Sequence, residues 1–147
     1  MKTLIKVSGD AMLSEQAEEL IQSYAVGEGS QVVVVVGGGT EISRQLSEAG
    51  YEIKFDERYD PPRRIAPSFE EKCIIRGVLD DQVIDWRSRV GDLPNVEVIS
   101  PFETFGRVLC NINGDDLVRA ICTEFDVTFV LTKQERKAKK KKTFAGL

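Results

Sequence analysis

The residues of this chain that could do chemistry fall in four short stretches, and glycine punctuates three of them. The first runs Gln31-Val-Val-Val-Val-Val-Gly-Gly-Gly-Thr-Glu-Ile42. Gly37, Gly38 and Gly39 end an apolar strand, and Thr40 opens a helix. Bare N–H groups and the positive end of the helix dipole then face whatever sits above the sheet, which makes an anion site. A tight strand-to-helix turn without a ligand needs only one glycine; three let a ligand approach the backbone. The second stretch is Thr3-Leu-Ile-Lys-Val7 followed by Ser8-Gly9-Asp10. Lys6 lies inside that apolar strand, so its ammonium either snorkels to solvent from an edge or meets an anion. In the third, Arg63 and Arg64 follow Pro61-Pro62. They can grip a carboxylate with two-pronged hydrogen bonds or form local ion pairs in an exposed loop. The fourth is Asn111-Ile-Asn-Gly-Asp-Asp116. Asn111, Asn113 and Asp115 stand at a strand end and helix start, where they can reach back into a site or simply cap the helix.

What is missing narrows the chemistry. The chain has no histidine, which removes the usual general base, Ser/His and Cys/His nucleophile pairs, and most transition-metal sites. Cys73, Cys110 and Cys122 are odd in number and scattered, without zinc-ligand spacing. They read as reduced thiols of a cytoplasmic protein. Chemistry is left to lysines, carboxylates, glycines and backbone. At 147 residues, 41% hydrophobic and 30% charged, the chain has the make-up of one globular domain or one lobe of a larger machine. No membrane-spanning apolar run or signal-peptide core is expected. Residues 133–147 hold seven basic groups and one acid, a net +6, and the total of −4 leaves −10 on residues 1–132. An acidic body with a basic tail does not carry the footprint of a nucleic-acid-binding domain. The lysine run reads as a solvated tail or frayed helix.

The elements that must position these residues follow from periodicity. Thr3–Val7 is a short buried strand, and residues 14–24 a helix with Ala17, Leu20, Ile21 and Tyr24 inward and Ser14 as N-cap. The valine run is apolar on both faces, as suits a covered parallel strand. Its following helix turns Ile42, Leu46 and Ala49 inward. Residues 51–67 form an extended segment or hairpin over the glycine loops. Ser68-Phe-Glu-Glu71 is a capping box opening a helix to about Val90, with Gly77 and Asp80-Asp81 as points of kinking or division. Strands at 96–100 and 107–110, a helix after Asp115 and a last strand at 127–131 complete the order. Strand, helix, strand, glycine loop, helix predicts an α/β fold, a doubly wound and mainly parallel sheet with helices on both faces in three layers.

Three stretches together resemble one family, the amino acid kinase superfamily, with motifs nearest the acetylglutamate kinases. They are Leu4-Ile-Lys-Val-Ser-Gly-Asp-Ala-Met12, Val33-Val-Val-Val-Gly-Gly-Gly-Thr-Glu-Ile42, and Asn111-Ile-Asn-Gly-Asp115 with the strand to Thr132. Arg64-Ile-Ala stands where acetylglutamate kinases hold the substrate carboxylate. The resemblance implies Lys6 and Asp115 as catalytic residues, Lys6 neutralising the transferring phosphoryl group and Asp115 orienting lysines. It implies Gly9, Gly37 and Gly38 as backbone donors to phosphate and acyl oxygens, Arg64 as the carboxylate clamp and Asn111 as a substrate contact. Such chemistry rests on positioning and electrostatics and needs no histidine.

The chain departs from the family where Val36 and Thr40 replace a histidine and a proline, and where Lys133 replaces an aspartate that leads into the ATP-binding lobe. The expectation is an N-terminal acceptor lobe at residues 1–132 with a basic tail at 133–147. It would bind a small carboxylate or phosphate and be weak or inactive alone, using ATP and Mg2+ only if a nucleotide lobe is supplied. Half of a split kinase completed by a partner chain, and a structural or assembly homologue, are the alternatives. A homodimer or partner chain is expected at the sheet edge where a second lobe would continue.

Overall fold

In the computed structural model, residues 1–7, 14–60 and 62–131 are described. Gly9 and the basic tail at 133–147 lie outside them.

A four-stranded parallel sheet forms the centre. Its strands are β1 (Lys2–Val7), β2 (Gln31–Val35), β5 (Val96–Ile99) and β8 (Val127–Leu131), in the order β5-β2-β1-β8. The fold is therefore α/β. β1 pairs Leu4 with Val33 and Lys6 with Val35 on one side, and Leu4 with Thr128 and Lys6 with Val130 on the other. The helices are α1 (Ser14–Ala25), α2 (Gly39–Glu48), α3 (Phe69–Val90) and α4 (Gly114–Ile121). A single 3-10 turn, Cys122–Glu124, separates α4 from β8.

The period-2 alternation of strand side chains divides the core in two. Ile5, Val7, Val32, Val34 and Val98 pack with Ile21 of α1, Leu46 of α2 and Ile75 and Leu79 of α3. Leu4 and Val35 pack instead with Val118 of α4. The strand order suggests why. The chain steps from β1 to β2 to β5 in one direction and then returns across β1 to β8. Right-handed crossovers place connecting helices on opposite faces when that direction reverses. The valine run thus feeds both clusters, which is what a strand apolar on both faces requires.

Two antiparallel ribbons complete the chain. β3 (Lys54–Asp56) and β4 (Arg63–Ile65) form a hairpin, the second of the two alternatives for residues 51–67. β6 (Phe102–Phe105) and β7 (Val108–Asn111) form another, joined by Gly106 and Arg107. Gly106 has φ of 62°, a conformation that costs glycine nothing in a two-residue link. The sequence reading has no strand at 102–105. Phe102 and Phe105 do not alternate with polar residues, so the period-2 signal is absent there.

α3 runs unbroken from Phe69 to Val90, without the division expected at Gly77 or Asp80-Asp81. Tertiary packing overrides the weak local propensities: Ile75, Val78, Leu79 and Trp86 are all buried. The helix opens on a complete capping box, with Ser68 Oγ accepting from Glu71 N at 3.2 Å and Glu71 Oε2 accepting from Ser68 N at 2.9 Å. The Ser68 hydroxyl, donating to Glu71 Oε2 at 2.6 Å, and then the Ser68 N–H hold the Glu71 carboxyl below its ordinary pKa. Arg89 ties α3 to Glu18 of α1 at 3.1 Å.

Candidate functional site

Lys6 lies near the C-terminal end of β1, paired with Val35 at the end of β2, and Gly37 and Gly38 follow that strand. In open parallel sheets, ligands bind beyond the C-terminal strand ends at the point where the strand order reverses, which here lies between β1 and β8. β2 ends at Val35, Val36 is fully buried, and its N–H donates to the Ile99 carbonyl at 3.0 Å. Gly37 follows, and Gly38 is the N-cap of α2 without any side-chain cap. The helix starts at Gly39, one residue before Thr40.

Gly38 has a packing reason to be glycine. A Cβ there would lie 3.0 Å from Val78 Cγ1 and 3.6 Å from Leu79 Cδ2. Helix α3 therefore occupies the space that a side chain at Gly38 would fill. Gly39 is different, because a Cβ on it would meet nothing within 4 Å. Its carbonyl accepts from Arg64 Nη2 at 3.1 Å, and the same nitrogen donates to Ser43 Oγ at 3.1 Å.

The β3–β4 hairpin holds Arg64 in place. Phe55, its cross-strand partner, carries the guanidinium at 4.9 Å from the ring centroid, a cation–π contact. Nη1 of Arg64 is buried without a hydrogen-bond partner. Burial also pushes the Arg64 pKa below its ordinary value. An orphaned guanidinium donor beside a helix N-terminus is costly unless an acceptor arrives. Neighbouring Arg63 points to the other side, as strand alternation requires. Its Nε reaches Asp116 Oδ2 of α4 at 2.7 Å, and its Cζ stacks 3.6 Å from the Tyr59 ring centroid. The hairpin thus bridges α2 and α4, one arginine to each. Asp116 closes the fourth stretch, yet the sequence gives it no role of its own; its place in the first turn of an acid-opened helix is the available signal.

Lys6 is neither an edge lysine nor a snorkelling one. β1 is flanked by β2 and β8, and Lys6 is only 6% exposed. It shares the face of Leu4 and reaches the start of α4. A Cβ built on Gly114 would lie 2.6 Å from Lys6 Cε and 3.4 Å from its Nζ. Asp115, the next residue, is 7% exposed. Lys6 and Asp115 are therefore two buried charged groups meeting at one helix start.

The asparagines divide. Asn113 Oδ1 accepts from Asp116 N at 3.0 Å and caps α4, so local capping accounts for it. Asn111 closes β7, opposite Phe102. Its strand belongs to the ribbon and not to the central sheet. Ile112 N donates to the Pro101 carbonyl at 2.9 Å, fixing the ribbon's exit toward α4.

Among the described residues, no three His, Cys, Asp or Glu side chains gather to hold a metal ion. The donors here suit a small anion. A depression of about 550 Å³ lies elsewhere, between the end of α3 and the start of β5, lined by Arg87, Val90, Leu93 and Val98. No described helix is long and apolar enough to cross a membrane. Comparison with known families and with curated proteins found no match to this chain.

Proposed function

We propose that this chain is an amino acid kinase-like acceptor domain that binds a small carboxylate or phosphate at the C-terminal edge of its sheet. The observation that carries the reading is the burial of Lys6 at the end of a central strand, against the start of α4 and beside buried Asp115. A charge in that position sets positive potential at the end of the strand, where an anion can be bound. Arg64 adds a second cation with an unpartnered buried donor at the N-terminus of α2. On this reading Arg64 grips a carboxylate and Lys6 neutralises the group that gains phosphoryl charge. Phosphoryl transfer would then need the donor nucleotide from residues outside this arrangement, within a longer protein or a partner.

A second reading has one specific observation in its favour. Val78 and Leu79 lie where a side chain at Gly38 would be, as suits a scaffold or assembly homologue in which that glycine serves packing.

Calorimetric titration with N-acetylglutamate and, separately, inorganic phosphate distinguishes the two. The acceptor reading expects saturable binding that Lys6→Met and Arg64→Ala each weaken about tenfold or more, the worth of one charge-assisted hydrogen bond. Absence of heat with both ligands at millimolar concentration would favour the scaffold.

A further inference from the structure

We infer that Gly114 is a positioning residue for Lys6: the side chain that Gly114 lacks leaves the slot in which the lysine chain lies. The geometry is direct. An ideal Cβ on Gly114 would sit 2.6 Å from Lys6 Cε, 3.7 Å from its Cδ and 3.4 Å from its Nζ. Real carbon atoms do not approach to 2.6 Å, so any residue other than glycine displaces the end of the lysine. Nothing in the backbone asks for glycine at this point. Gly114 is the first residue of α4, helical in conformation, and is not among the positive-φ glycines. Alanine there would favour the helix by propensity. The capping by Asn113 is independent of residue 114, since its bond runs to Asp116 N. The glycine thus gives up helix propensity and makes room for a buried cation.

The clashing atom also decides which part moves. Lys6 Cε is the far end of a four-carbon stem with several rotatable bonds, whereas the start of α4 is held by its cap and by Val118, fully buried against Leu4 and Val35. A methyl group at 114 therefore shifts the ammonium and leaves the helix in place. It changes where positive charge sits relative to Asp115 and to the ends of β1 and β2. The consequence for ligand binding rests on the acceptor reading above; the displacement of Lys6 does not.

The test uses the full chain with lysine labelled at 13Cε, in the wild type and in Gly114→Ala, Lys6→Ala and the double variant. Gly114→Ala is expected to fold, to move the Lys6 Cε–Hε resonance, and to leave those of Lys54 and Lys72 in place. It should also weaken binding of N-acetylglutamate or inorganic phosphate about tenfold, while adding nothing in the Lys6→Ala background. An unmoved Lys6 resonance in folded Gly114→Ala overturns the inference. Should Gly114→Ala fail to fold, the double variant decides. Folding restored by Lys6→Ala supports the slot; a double variant that stays unfolded while Lys6→Ala folds overturns it. If the wild type binds neither anion, the acceptor reading falls, and the resonance shift still decides Gly114.

Discussion

The chain places a glycine at the start of α2 and another at the start of α4, and the two are glycine for different reasons. At Gly38 the absent side chain is replaced by a neighbouring helix, with Val78 Cγ1 3.0 Å from where a Cβ would be. At Gly114 it is replaced by the end of a buried lysine, with Cε at 2.6 Å. The α2 start carries no side-chain cap, whereas the α4 start is capped by Asn113 and followed by two aspartates. One glycine serves the core and the other makes room for charge. A strand–glycine–helix signature therefore does not say by itself whether a ligand or a packed side chain claims the vacant space.

The contrast can be broken by substitution. The largest effect should come from Lys6→Met, which keeps the stem and removes the charge. Anion binding should fall by tenfold or more in titration. Failure of that variant to change affinity would remove Lys6 from the site. Next comes Gly38→Ala. Val78 is β-branched, on a helix and buried, so it has little rotamer freedom to yield. Overpacking should lower stability by about 1–3 kcal/mol in urea unfolding, with Val78→Ala restoring part of it. Gly114→Ala should show the reverse pattern, a small stability change with altered anion affinity. Equal stability losses at both glycines would erase the distinction.

Smaller effects sharpen the frame around the two sites. Ser68→Ala, which breaks the capping box of the helix that fills Gly38, should cost about 1 kcal/mol. It should also change the pH dependence of folding. The Glu71 pKa is held below its ordinary value in the folded chain by Ser68. Its contribution is therefore present above the ordinary carboxylate pKa and is lost as pH falls through the lowered value. Acid unfolding of wild type and Ser68→Ala should converge at low pH; parallel curves would show that Glu71 does not titrate this way. Arg63→Ala should have the smallest effect. Its ion pair with Asp116 is partly exposed, and such pairs are worth about 0.2–1 kcal/mol. A larger loss by thermal unfolding would mean that the hairpin carries more of the fold than its two short strands suggest.

Periodicity and turn chemistry made the α/β class, the parallel sheet, the capping box of α3 and the hairpin at 51–67 legible, because all are local or depend on patterns within one segment. The valine run required cover on both faces, and its side chains do divide between two clusters. The ribbon strand at Phe102–Phe105 was not legible, since cross-strand pairing with Val108–Asn111 defines it and its own residues do not alternate. The continuity of α3 across Gly77 likewise depends on what packs against it.

For the site, the sequence determined which groups were on hand: a lysine inside an apolar strand, two adjacent arginines, glycines at two helix starts and no histidine. Tertiary structure alone decided their neighbours. It set β1 between two strands, so that Lys6 is buried and cannot snorkel. It sent Arg63 to α4 and Arg64 to α2. It also gave the space at Gly38 to Val78 and the space at Gly114 to Lys6. The physical reason is that a residue's type fixes what it can bond to, whereas strand order and helix packing, made of contacts between residues far apart in the chain, fix what lies within reach.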